Sequence, residues 1–316
     1  MKSDIEQRAR SVGAIATAWS RPAPAGRRRP NTAALVWSEA RPLVQIVVQL
    51  RYWTAVVLAG GAFGVRSALG SLCVLLAYCA VYALNGIADI AEDRRNGSRR
   101  PIASAAVAPG AVARLAAGLA AVALAGAATL GWRFLAAAAL LLVFGWVYSM
   151  PPRPAKKDYR TASAVIFGLG ALTYTAGWCA GGQSAISGRL VAVAVAMSLW
   201  MVLGGMVKDL PDVAGDREAG RHSWPVAFGD EGSRAIVAVT AAALAITYVA
   251  ISVTEFRDLS FIALVVAAGA IACGTCAVTP LSRGGRSRAR RPYRIFMFTQ
   301  YAAHVLLLWR AVGWAG

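Results

Sequence analysis

Apolar runs long enough to cross a membrane recur about nine times in this chain, and nothing else in the sequence restricts its fold as much. They cover approximately residues 43–65, 69–90, 110–130, 134–150, 161–182, 190–207, 233–253, 259–279 and 293–313. A bilayer core is about 30 Å thick and a helix rises about 1.5 Å per residue, so runs of roughly 18 or more apolar residues span it. Backbone N–H and C=O groups inside lipid must be satisfied within their own segment, which leaves helices as the form for such runs. The fold class is therefore all-α, a polytopic membrane protein of about nine transmembrane helices. Composition agrees: 15% of residues are charged, whereas soluble domains carry about 25%.

A net charge of +18 would ordinarily suggest nucleic acid, but the basic residues follow the spans. All but seven of the 33 Lys and Arg fall in the N-terminal segment or at the connections after runs two, four, six and eight. Arg66, Arg133, Arg189, Arg257 and Arg310 lie on the other side, while Arg51 and Arg114 fall within runs. The positive-inside bias then places the N-terminus and these connections in the cytoplasm and the C-terminus outside. The expected location is a plasma membrane of bacterial type, with the lipid bilayer as a partner and no nucleic acid or protein partner inferred.

Residues 1–42 contain RPAPAGRRRPNTA and lack an apolar core, so they read as a disordered basic cytoplasmic tail. Residues 43–316 read as a single transmembrane domain. Cys73, Cys79, Cys179, Cys273 and Cys276 all lie in runs. The CxxC spacing of the last two has no companion pair or His cluster, so these thiols read as small packing residues. A faint repeat also appears. Asp93-Arg94 precedes Gly97 and Pro101, and Asp216-Arg217 precedes Gly220 and Pro225. Each set follows an even-numbered run, four runs apart, as two related halves would arrange them.

The same places carry polar ladders. In NGIADIAED, Asn85, Asp89 and Asp93 stand at i, i+4 and i+8, and in DLPDVAGD, Asp209, Asp212 and Asp216 stand at i, i+3 and i+7. Both spacings stack side chains on one helical face. A single Asp at a helix end is ordinarily a solvated cap, but two evenly spaced ladders are harder to explain that way. Five converging carboxylates raise one another's pKa unless cations sit between them. Magnesium suits this arrangement, because it takes one or two carboxylates together with waters and substrate phosphates. Arg94, Arg95, Arg99 and Arg100, then Tyr148, Ser149, Lys156 and Lys157 in YSMPPRPAKK, then Arg217 and Arg221, supply donors and charge for a diphosphate. The positive-inside bias alone would also place many of these basic residues there.

At these motifs the chain resembles the UbiA family of intramembrane prenyltransferases, a superfamily that also contains membrane terpene cyclases. Members have nine membrane helices around a central cavity, with NDxxDxxxD after the second helix and DxxDxxxD after the sixth. Here Gly86 stands where the family often has Asp, while the second motif is complete. YSMPPRPAKK is similar to the family's YSxPP segment, and RRPIASAAV to its RP-containing loop. The resemblance implies that Asn85, Asp89, Asp93, Asp209, Asp212 and Asp216 hold Mg2+, with Asp89, Asp93, Asp212 and Asp216 catalytic. It makes Arg94, Arg99, Arg100, Tyr148, Ser149, Lys156, Lys157 and Arg217 substrate-binding, with Tyr148, Lys156 and Arg94 the leading candidates for diphosphate contact.

The expected activity is Mg2+-dependent ionisation of an allylic polyprenyl diphosphate and transfer of the prenyl group to an aromatic or lipid-like acceptor. A cation captured by the substrate's own double bonds would instead make the protein a terpene cyclase. A transporter, the third reading, would place charges deeper in the spans. Arg51 is the main such charge, either snorkelling or facing the cavity. Tyr82, Trp146, Tyr174, Trp178 and Trp200 lie where they could line that cavity or simply pack. His222 and His304 are not spaced as metal ligands.

Overall fold

Helices form along the apolar runs. The computed structural model describes residues 32–95, 98, 100–182 and 185–313, and among these residues one isolated bridge, between Asp158 and His222, interrupts an otherwise helical structure. Nine described helices have 17 residues or more: α1 (Pro42–Leu58), α2 (Val65–Ala88), α3 (Pro109–Thr129), α4 (Trp132–Ser149), α5 (Tyr159–Gly181), α6 (Gly188–Asp209), α7 (Trp224–Thr254), α8 (Ser260–Val278) and α9 (Arg291–Gly313). Seven spans, α2 through α8, are long and apolar enough to cross a membrane by length and composition. Of the other two, α1 is apolar but has only 17 residues, and α9 opens on Arg291 and Arg294. The structure moves two boundaries clearly. Helix α1 ends at Leu58, where the first apolar run extends to about residue 65. Instead of starting near residue 233, α7 starts at Trp224, and Gly229 breaks it with φ 73°, a left-handed conformation that glycine tolerates.

The expected tail differs at its end. Residues 1–31 lie outside the described residues, but Thr32–Glu39 forms a helix against α2, and both Glu39 and Ala40 are buried. Arg41 then turns the chain into α1, whose first residue is Pro42, a residue suited to a helix start because it lacks the N–H that would be unpaired there.

Packing sorts the helices into walls and supports. α1, α2, α4, α5, α6 and α9 surround one cavity, while α3 leans on α2 and α4, and α7 and α8 lean on α6 and α9. Lipid offers no hydrophobic force between helices, so close approach of small residues matters. At Gly177 of α5 even a Cβ would come 2.4 Å from the Tyr52 carbonyl of α1. One buried cluster joins α1, α2, α4 and α5 around Tyr52 and Phe134, and another joins α5 to α9 around Trp200 and Phe296. All five cysteines are free thiols; Cys273 and Cys276 are buried within the second cluster's side of the bundle.

The faint repeat is visible as structure. After α2 comes a six-residue helix, Ile90–Arg95, and after α6 another, Val213–Glu218, with Asp93 and Asp216 fourth in each. Asp93 N–H donates to Asp89 O at 2.8 Å and Asp216 N–H to Asp212 O at 2.9 Å. Ser98 N–H then closes on Asp93 O and Arg221 N–H on Asp216 O, both at 2.8 Å.

Candidate active site

The two ladders finish at the same end of the bundle, beside the mouth of the cavity. In the first, Asn85 Nδ2 donates to Ser149 Oγ at 3.1 Å, tying the end of α2 to that of α4. Asp89 Oδ1 accepts from Lys156 Nζ, and Arg100 Nη1 lies 2.8 Å from Asp93 Oδ2 and 3.7 Å from Asp89 Oδ2. In the second, Asp209 lies 3.8 Å from Lys208 Nζ, Asp212 pairs with Arg286, and buried Asp216 lies 3.2 Å from Arg221 Nη1. The mutual repulsion expected of five carboxylates is thus relieved by the protein's own cations.

The two turns nevertheless differ in charge environment. Burial pushes the Asp89 carboxyl up, but Lys156, with help from Arg100 and Arg221, outweighs it and holds the group below the usual carboxylate range. At Asp216 burial prevails over Arg221, and nearby Asp209 adds to it, so that carboxyl sits above the usual range. Glu92 is also held up, by burial and then by Asp89.

Among the described residues no three His, Cys, Asp or Glu side chains converge as a ready cage for a metal. The donor chemistry still fits magnesium: all the ladder groups are hard oxygen donors, and Asp216 Oδ2 is buried without an aligned hydrogen-bond donor.

The cavity connects this polar mouth to an apolar interior. Asn85 and Asp89 line it from the first ladder, Tyr148, Ser149 and Lys156 from YSMPPRPAKK, and Arg41, Lys208 and Arg221 complete the rim. Below them come valines of α1 and α2, Leu169, Met201, Phe296 and Met297. Arg51 lines the deep part, about nine residues or roughly 14 Å along α1 from its start. Its Nη2 donates to Gln300 Oε1, its Nε has no partner, and no carboxylate of the described residues lies within ion-pair distance. Arg51 therefore faces the cavity.

The other sequence-predicted residues lie elsewhere. Arg94 Nε is committed to the Ala103 carbonyl at 3.0 Å, and Lys157 and Arg217 are exposed. Asp93, Asp209, Asp212, Asp216 and Arg100 stand around the rim without lining the cavity, and Arg99 lies outside the described residues. Of the five named aromatics, Tyr82 lines the cavity. Trp200 is packed with Nε1 on the Phe296 carbonyl, Tyr174 Oη bonds His304 Nε2 at 2.6 Å, Trp178 Nε1 reaches the Ala185 carbonyl, and Trp146 is half-exposed. Sequence reasoning missed Arg41, Lys208, Tyr293 and Gln300 as lining residues, and missed buried Glu39 altogether. Two had a signal: Lys208 directly precedes the second motif, and Arg41 directly precedes the proline that starts α1.

The fold and site are those of a helical membrane bundle with paired Asp-rich turns over an apolar cavity, and comparison with known proteins gives the family. The family model described as "UbiA prenyltransferase family" matches residues 48–303, and the chain belongs to that family. A digeranylgeranylglyceryl phosphate synthase of Methanopyrus kandleri is 29% identical over 211 residues, covering 66% of this chain and 74% of the relative. One of Halobacterium salinarum is 31% identical over 204 residues, covering 63% and 71%. A solved UbiA homologue from Archaeoglobus fulgidus, bound to DMAPP and Mg2+, superposes with a TM-score of 0.65 at 19% identity, covering 85% of this chain and 99% of the homologue. The protein is thus an integral membrane prenyltransferase of the UbiA family.

Proposed function

We propose that the protein transfers a prenyl group from an allylic isoprenoid diphosphate to an acceptor nucleophile in a Mg2+-dependent reaction. The observation that carries this reading is the cavity with Asn85, Asp89, Tyr148, Lys156, Lys208 and Arg221 at its mouth and apolar walls beneath. A diphosphate is held by charge at the mouth while its hydrocarbon dissolves into the walls. Asn85, Asp89 and Asp93 on one side and Asp209, Asp212 and Asp216 on the other are the oxygens that would hold Mg2+, which when bound supplies Lewis-acid charge to a departing diphosphate.

The chain's own residues account for the rest. Lys156, Lys208 and Arg221 are positioned to stabilise negative charge on the leaving group as the C–O bond breaks and its electron pair departs with oxygen. Tyr82, Tyr148 and Tyr293 offer aromatic faces to the allylic cation, and the apolar walls keep out water that would quench it. The acceptor forms the new bond and releases a proton, leaving the prenylated product and diphosphate. Arg51 supports an acceptor over capture by the substrate's own double bonds. A fixed positive charge in the deep cavity repels a migrating carbocation and is suited to an acceptor's polar or anionic group. The relatives' names make a glyceryl phosphate lipid one acceptor to try, beside aromatic ones. The charge distribution of the sequence supports a cytoplasmic site in a plasma membrane.

The test is diphosphate release from DMAPP and longer analogues by purified protein in nanodiscs, with Mg2+ or EDTA and with extracted products analysed by mass. Release is expected to require Mg2+ and to fall at least about a hundredfold in Asp89→Ala and Asp212→Ala. A cyclic hydrocarbon formed from diphosphate alone would replace transfer with cyclisation.

A further inference from the structure

The internal repeat leaves one mismatch, at residue 86. With Asp93 set opposite Asp216, Asp89 falls opposite Asp212, Asn85 opposite Lys208 and Gly86 opposite Asp209. At that position the first turn lacks the carboxylate that the second has. Gly86 lies near the end of α2 and is buried, in helical backbone where glycine weakens a helix, so its conformational freedom does not explain it. Space does. A Cβ on residue 86 would stand 2.7 Å from Glu39 Oε2, 2.9 Å from Arg100 Nη2 and 3.1 Å from Ile102 Cδ1.

Glu39 is fully buried, at the end of the helix Thr32–Glu39 before α1. A buried carboxylate is stable only when paired and hydrogen-bonded. Glu39 meets that requirement. Its Oε1 accepts from Ile102 N–H at 2.9 Å and its Oε2 from Arg100 Nε at 2.8 Å. The other arm of the same guanidinium donates from Nη1 to Asp93 Oδ2 at 2.8 Å.

We propose that Glu39 supplies to the first Asp-rich turn the carboxylate that residue 86 does not carry, and that Glu39 and Gly86 form one positioning unit. The space at residue 86 is taken by a carboxylate delivered from a preceding helix. Through Arg100 that carboxylate fixes Asp93 and brings the guanidinium beside Asp89. Glu39, Asp89 and Asp93 in the first turn then stand against Asp209, Asp212 and Asp216 in the second, beside Glu92, whose place in the second is taken by Gly215. Glu39 acts through Arg100, and the proposal rests on the prenyltransferase reading for what the turn does, though not for how the unit is built.

The test is a steric and charge exchange in the full chain in nanodiscs. Four variants are compared with wild type: Gly86→Asp, Glu39→Gln, Glu39→Ala, and Gly86→Asp with Glu39→Ala. Two quantities are read: the metal-free unfolding midpoint, and the Mg2+ concentration for half-maximal stabilisation by geranyl diphosphate. Each single variant is expected to lower the midpoint and to raise the Mg2+ requirement roughly tenfold or more, the usual effect of losing a partner that orients a metal-site residue. The double variant is expected to recover most of both, because the carboxylate introduced at residue 86 then meets the flexible end of Arg100 in the space that Glu39 leaves. Additive losses in the double variant, or a Glu39→Gln protein that behaves as wild type, would overturn the unit. Recovery of the midpoint without recovery of the Mg2+ requirement would overturn its positioning role. Wild type that shows no Mg2+-dependent stabilisation by geranyl diphosphate would overturn the prenyltransferase reading instead, and the metal-free midpoints would still decide whether the unit exists.

Discussion

The two Asp-rich turns share a backbone and differ in what surrounds it. Each ends a long helix, runs through a six-residue helix and closes on the fourth residue of that helix with the same hydrogen bonds. Yet Asp89 of the first is held below the usual carboxylate range because Lys156 outweighs burial, whereas Asp216 of the second is held above it because burial outweighs Arg221. Duplicated geometry therefore does not carry duplicated electrostatics. The loops arriving from elsewhere set the charge state, and the first turn received a lysine, an arginine and a glutamate from three separate segments.

The largest expected effect comes from removing the cation of the first turn. Lys156 is almost fully buried against Asp89, so Lys156→Met leaves a carboxylate with only the more distant Arg100 and Arg221 and is expected to cost about 3 kcal/mol at neutral pH. The pH dependence gives the sign. Asp89, depressed in the folded state, contributes stability above its unfolded pKa that is lost as pH falls through the folded value. Asp216, raised in the folded state, contributes stability below its unfolded pKa that is lost as pH rises through the folded value. Metal-free unfolding from pH 4 to 8 should then show Lys156→Met losing the Asp89 contribution, with the variant falling furthest behind wild type at the neutral end. Asp216→Asn should remove the opposing decline. If both variants shifted the curve equally at every pH, the two turns would be electrostatically alike.

The mouth and the floor of the cavity give a second contrast, with a smaller effect. At the mouth every ladder carboxylate has a basic partner, while Arg51 on the floor has Gln300 and no carboxylate within ion-pair distance among the described residues. Arg51→Gln is expected to raise the acceptor KM about tenfold, the range of one charge-assisted hydrogen bond, with little change in the KM for diphosphate. Steady-state kinetics with each substrate varied in turn checks the split. An equal rise in both constants would make Arg51 part of the general packing.

Much of this was legible in the sequence, and the rest was hidden for identifiable reasons. The spans were readable because lipid demands long apolar runs, and the ladders because i, i+4 spacing survives at a helix end. Lys156 and Tyr148 were readable from their segment. Glu39 was not, because a lone acid in a basic stretch gives no sign of the glycine it packs against 47 residues later. Arg94 read as a phosphate ligand because its charge was visible and the Ala103 carbonyl that claims it was not. Trp200 and Tyr174 shared the pattern of cavity residues, and only three-dimensional packing turned them toward Phe296 and His304.

The smallest expected effect tests how the two turns are held together. His222, just after Arg221, donates its N–H to the Lys157 carbonyl at 2.7 Å and accepts from Tyr159 N–H at 2.9 Å, so the segments carrying Lys156 and Arg221 share a short backbone bridge. Asp158 sits in that bridge and caps α5, accepting from Arg160 N–H at 3.0 Å and Thr161 N–H at 3.3 Å. Slight burial would raise its carboxyl, but those donors and His222 outweigh it and hold the group low. Asp158→Ala should therefore cost about 1 kcal/mol at neutral pH, the usual value of an N-cap. Because the stabilisation belongs to the ionised form, the gap between wild type and variant should close as pH falls below about 4. Unfolding midpoints at neutral and acid pH check this, and a gap that widened on acidification would mean that Asp158 contributes in its protonated form and that the bridge, not the cap, is what joins the two turns.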